Sequence, residues 1–165
     1  MNKKLTARWL TSKGACQDGI EWFKDNVTET DPIKVLRFGI KHDKLDWVNW
    51  LIVRLMTHRQ LVRYACYAAR QTLPDYESEY PDDRRVRDAI VAAKRWAKNP
   101  TEDNARAAIA AYIAASIAAR AASSAAYSVA NADIAAYRAE RSTTMTKILR
   151  YGIRLLQRDH AGGKG

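Results

Sequence analysis

Hydrophobic residues recur at steps of three and four along most of the chain. No stretch alternates with period two for long enough to suggest a sheet, so the elements predicted are helices. Residues 6–26 carry Trp9, Leu10, Ala15, Cys16, Gly19, Ile20, Trp22 and Phe23, and read as one or two short helices around a Ser12-Lys13-Gly14 break. Asp31-Pro32 opens the next helix, with Asp31 as N-cap and Pro32 at the first helical position. Val35, Leu36, Phe38, Gly39 and Ile40 form its apolar stripe, and His42-Asp43 is a turn. Residues 44–56 are apolar nearly all round, through Leu45, Trp47, Val48, Trp50, Leu51, Ile52, Leu55 and Met56, which predicts a central helix. Thr57-His58-Arg59-Gln60 has capping-box form and starts a helix over about 58–73 that can continue past Pro74. Pro81-Asp82-Asp83 reads as the start of a helix that ends before Asn99-Pro100. Thr101-Glu102-Asp103 caps another.

Residues 105–139 hold 18 alanines in 35 positions, and alanine has the highest helix propensity. A long helix is expected there, with Ala108, Ala111, Ala115, Ala118, Ala122 and Ala125 as a seam narrow enough for a second helix to approach closely. A last helix, about 143–158, turns Met145, Ile148, Leu149, Gly152, Leu155 and Leu156 inward. The expectation is an all-α, single-domain helical bundle of six to eight helices over 1–160, followed by a disordered tail over 161–165.

Composition sharpens this picture. The 165 residues are 47% hydrophobic and 28% charged, which excludes a disordered polyelectrolyte. Two cysteines fifty positions apart exclude a disulfide scaffold and a zinc ribbon. Lys3 and Lys4 could open a signal peptide, but Arg8, Lys13 and Asp18 interrupt any apolar run. Arg106, Arg120, Asp133 and Arg138 break the alanine-rich stretch, so no membrane span is expected. The expected location is the cytoplasm of a bacterial host cell, with reduced thiols.

Charge changes the picture most. The chain has 28 Lys and Arg against 18 Asp and Glu, a net +10. Residues 1–80 account for +3 and residues 81–165 for +7. At 100° per residue, Arg84, Arg87, Lys94, Arg95 and Lys98 fall within roughly 100° of arc. Lys147, Arg150, Arg154 and Arg158 fall within roughly 80°. Arg59, Arg63 and Arg70 make a third stripe. Solvated faces of amphipathic helices account for any one stripe. Three with few compensating carboxylates point to a polyanionic partner, because arginine forks suit phosphate and carboxylate.

Candidate chemistry is sparse. His42, His58 and His160 have no partners at metal spacing, so no metal site and no cofactor is expected. Cys16 and Cys66 stand in apolar helical contexts and read as core thiols. Asp82 and Asp83 read as capping and dipole residues, and Glu77 and Glu79 as partners of Arg84 or Arg85 across a turn. No phosphate loop, dinucleotide fingerprint, zincin or nucleophile-elbow motif is present, so no enzyme is expected. The five tryptophans read as core. Tyr112, Tyr127, Tyr137 and Tyr151 read as filler among alanines, with base stacking as the alternative.

Tyr64-Ala65-Cys66-Tyr67-Ala68-Ala69-Arg70-Gln71-Thr72-Leu73-Pro74 continues into Tyr76-Glu77, Tyr80-Pro81-Asp82-Asp83-Arg84-Arg85-Val86-Arg87-Asp88-Ala89-Ile90 and Ala92-Ala93-Lys94-Arg95-Trp96. These blocks resemble the immunity protein family of bacterial polymorphic toxin systems. Its phage-encoded relatives share stretches like Trp9-Leu10, Ala15-Cys16-Gln17-Asp18-Gly19, Trp22-Phe23 and Leu45-Asp46-Trp47-Val48-Asn49-Trp50-Leu51. The family pattern more often has proline at Val86. The resemblance spans about three quarters of the chain and implies an all-helical, non-enzymatic protein that binds and blocks another. It transfers no catalytic residue.

The expected function is therefore a phage- or mobile-element-encoded inhibitor of a host or rival protein, such as a nuclease or a nucleoprotein defence complex. Arg84, Arg87, Lys94, Arg95, Lys98, Lys147, Arg150, Arg154 and Arg158 are the expected partner-binding residues, against an acidic protein surface or nucleoprotein complex. Direct DNA or RNA binding and antitoxin-type immunity are the alternatives. Oligomeric state is left open, because the alanine seam suits an internal contact and a dimer equally.

Overall fold

The computed structural model describes residues 4–106 and 134–161, and among them every regular element is a helix. The elements are α1 (Ala7–Ser12), α2 (Gln17–Asn26), α3 (Pro32–Lys41), α4 (Leu45–Leu55), α5 (His58–Glu79), α6 (Arg85–Lys98) and α7 (Ile134–Ala161). The fold is all-α, as the periodicity predicts. The expected alanine seam and the Gly162–Gly165 part of the expected tail lie outside the described residues.

Local chemistry sets most boundaries. Thr6 caps α1 by accepting from the Trp9 N–H at 3.2 Å, and Gly14 ends it at φ +73°, a conformation that favours glycine. Asp31 caps α3 through the Lys34 N–H at 2.9 Å, with Pro32 in the first turn. Asp43, at φ 54°, reverses the chain between α3 and α4. Thr57 and Gln60 form the full capping box of α5.

Two boundaries depart from the sequence expectation. α6 begins at Arg85, four residues beyond Pro81. The Asp83 carboxylate is taken by the Tyr76 hydroxyl and the Arg85 guanidinium, and the Asp83 N–H closes a turn onto the Tyr80 carbonyl. α7 runs unbroken through residues 139–143, where a boundary was expected between two helices. Arg141-Ser142-Thr143-Thr144 contains neither glycine nor proline, and its propensity deficit is only a few tenths of a kcal/mol per residue, ~0.5.

The chain clusters into two compact units, Met1–Met56 with Met145–Gly165, and Thr57–Thr144. In the first, α1 pairs with α2 and α3 with α4. Leu5, Leu36, Ile52 and Leu149 are its fully buried large side chains. α3 and α4 pack closely at Gly39, where an added Cβ would lie 2.5 Å from Val48 Cγ2. In the second unit α5 and α6 form an antiparallel pair. Its described core holds Tyr64, Cys66, Ala89, Ile90 and Ala97, with the buried side chain of Gln60. Pro74 sits inside α5, which continues to Glu79 as the sequence allows.

Candidate partner-binding surface

α6 is amphipathic. Ala89, Ile90 and Ala97 face inward, and Arg84, Arg87, Lys94, Arg95 and Lys98 are all exposed. Its register against α5 is fixed at both ends by polar contacts. At the start of α6, Arg87 grips Glu77 with both arms of its guanidinium, Nε to Oε1 at 2.7 Å and Nη2 to Oε2 at 2.6 Å. Beside it, the Tyr76 hydroxyl donates to Asp83 Oδ2 at 2.7 Å, and Arg85 donates to the same carboxylate. At the other end Arg59 Nε donates to the Ala97 carbonyl at 2.6 Å and Nη2 to the Lys98 carbonyl at 3.3 Å. That guanidinium occupies the carbonyls a helix C-terminus leaves unpaired.

These contacts shift acidities in the direction their charges require. The Arg85 guanidinium and the Tyr76 hydroxyl hold the Asp83 carboxyl far below the usual carboxylate range. The bond from Arg87 lowers Glu77 as well, and the carboxylate of Asp83 raises the Tyr76 phenol. Burial pushes Tyr64 up to about 12 and raises the Cys66 thiol, which donates weakly to the Ile90 carbonyl at 3.9 Å.

The charged stripes therefore divide by employment. Arg87 belongs to an intramolecular pair, and Arg59 to a helix cap. Glu77 pairs with Arg87 rather than with Arg84 or Arg85, because the antiparallel register sets Arg87 opposite Glu77. Arg84, Lys94, Arg95 and Lys98 are exposed and make no ion pair with a described carboxylate. On α7, Lys147, Arg150, Arg154 and Arg158 are likewise exposed and without a carboxylate partner among the described residues, opposite buried Ile148, Leu149, Ile153 and Leu156. Arg154 lies 5.7 Å from the Tyr151 ring. The α6 stripe belongs to one compact unit and the α7 stripe to the other, so each is a surface in its own right.

Two further placements correct sequence expectations. Cys16 is exposed at the N-cap of α2, not a core thiol, because the chain is extended there and its side chain precedes the helix; Cys66 is buried as expected. All five tryptophans are half-buried rather than core. Trp22 packs on Phe38 and Trp47, with ring centroids 5.8 Å away in each case, and Trp96 on His58 at 5.0 Å. Among the described residues no cluster of His, Cys, Asp and Glu could hold a metal ion, and no helix is long and apolar enough to cross a membrane.

The family described as Imm-5 like putative immunity protein matches residues 52–161, two thirds of the chain. The chain belongs to this family. No curated protein and no solved structure matches it. Within the matched span fall α5, its two polar latches to α6, and both basic stripes. The immunity-type assignment thus covers every partner-binding residue the sequence put forward. The α1–α3 region precedes it.

Proposed function

We propose that this immunity-type protein is a non-enzymatic inhibitor, encoded by a phage or mobile element, that binds an acidic surface on a host or rival nuclease or nucleoprotein defence complex. The observation that carries this reading is the unneutralised charge of Arg84, Lys94, Arg95 and Lys98 on α6 and of Lys147, Arg150, Arg154 and Arg158 on α7. Exposed arginines repel one another and persist on a surface at little benefit to the fold, whereas they steer and orient an anionic partner. Arg87 leaves the binding set, since its fork is already filled by Glu77.

Charge reversal tests the reading. A variant carrying Arg84→Glu, Arg95→Glu, Arg150→Glu and Arg154→Glu retains its helical circular dichroism, because none of these side chains is buried. Affinity capture from nuclease-treated bacterial lysate should retain one protein complex on the parent chain. The variant should lose it, by more than about tenfold in affinity. Equal capture by both proteins would remove the stripes from the mechanism. Loss of all capture on nuclease treatment would assign them to nucleic acid, whose binding falls steeply with salt.

A further inference from the structure

We propose that the half-open cavity formed by α1, α2, α3 and α4 is a binding site for a small planar aromatic ligand that carries an anionic group. The cavity holds about 300 Å³ and is lined wholly from residues 10–51. That volume is at the lower end of small-molecule sites, about 300–1,000 Å³. It precedes the family's matched span and does not rest on the proposed function.

Aromatic faces dominate its wall. Trp22, Trp47 and Trp50 all line it and all are half-buried, so their rings are only partly covered by the protein itself. Flat π-surfaces at a cavity wall favour a planar guest, through offset stacking and edge contacts. The floor carries a second signal. Gly19 lies inside α2, where glycine is the least favoured residue after proline. Packing does not require it: an added Cβ would meet only the exposed Cys16 Sγ at 3.2 Å, a tip free to turn, and the Trp47 ring at 3.8 Å. Gly39 is the contrast, since its Cβ would strike Val48. Gly19 thus weakens its helix and keeps open the space beside Trp47.

Charge selects the ligand's polar group. Lys44 Nζ sits 5.0 Å from the Trp47 ring centre and 5.7 Å from that of Trp22. The Arg54 guanidinium lies 3.7 Å from the Trp50 ring centre. Each indole of the wall already has a cation beside it, so an ammonium guest would meet like charge there, whereas an anionic one would not. Lys44 makes no ion pair with a described carboxylate and can receive one from a ligand. Asp46, also on the wall, is engaged by an interaction of its own.

The probes are 2-naphthoate and its neutral analogue 2-naphthamide, titrated calorimetrically into the full chain. Saturable binding of naphthoate is expected, tighter than naphthamide by about fivefold, and that ratio should collapse in Lys44→Gln. Gly19→Leu fills the cavity and should weaken naphthoate by more than about tenfold while far-ultraviolet circular dichroism stays unchanged. A readout without substitution protects the test against misfolding of that variant. Cys16 is the exposed thiol and Cys66 is buried, so iodoacetamide labels Cys16 first, and saturating naphthoate should slow that labelling. Absence of saturable binding, equal affinity for the two probes, undiminished binding by folded Gly19→Leu, or unprotected Cys16 would each overturn the proposal.

Discussion

Among the described residues the two compact units are held by different kinds of contact. The unit built on Met1–Met56 and Met145–Gly165 contains the four fully buried large aliphatic side chains described, Leu5, Leu36, Ile52 and Leu149. The Thr57–Thr144 unit has Ile90 as its one buried branched aliphatic among the described residues. It fixes α5 against α6 with a helix cap from Arg59, an ion pair from Arg87 and a shared carboxylate at Asp83. Apolar burial is non-directional and nearly indifferent to pH and salt. Polar latches are directional and respond to both. Charge does not divide the same way, because each unit carries its own basic stripe, on α7 in the first and on α6 in the second.

The sharpest way to break the contrast is a cavity in the apolar unit. Ile52→Ala should cost about 2–5 kcal/mol in urea denaturation, at any salt concentration. Gly39→Ala comes next. Alanine gains about 1 kcal/mol of helix propensity, but the clash with Val48 forces α3 and α4 apart, for a net loss of about 1–2 kcal/mol. The smallest effect belongs to the polar unit and is the one that depends on pH. Asp83 and Glu77 have native pKa values lowered by their partners, Arg85 and Tyr76 for the first and Arg87 for the second. A carboxyl lowered in the native state lends stability above its unfolded value, about 4, and loses it as pH falls through the native value. Hydrogen-exchange protection factors around residues 76–87 should fall as pH drops below about 4, and Asp83→Asn should remove most of that dependence. Exchange around residues 35–52 should follow the global stability alone. Equal acid sensitivity in the two regions would erase the comparison.

What the sequence made legible follows the same division. Thr57 with Gln60 and Asp31 with Pro32 act across three residues or fewer, and each could be read directly. The grip of Arg87 on Glu77 spans ten positions and that of Arg59 on Ala97 thirty-eight, distances closed only by the α5–α6 register. Asp83 shows both ranges at once: its carboxylate accepts the Arg85 N–H at the start of α6, as a capping residue should, and also takes the hydroxyl of Tyr76, seven residues earlier, which only the fold brings to it. The basic faces of α6 and α7 were legible because helical periodicity alone sorts exposed from buried. Which of those cations is free was not. The aromatic cavity was the least legible feature, because it is defined by a side chain that Gly19 lacks.

The discontinuous make-up of the apolar unit has a consequence for the chain's biosynthesis. Residues 4–56 leave the ribosome first, yet Leu149 and its neighbours, which belong to the same compact unit, follow only after 57–144 have been made. At elongation rates of about 5–20 residues per second the wait is roughly 5–20 s. During that interval the unit is without its C-terminal part, Met145–Gly165, which brings the fully buried Leu149.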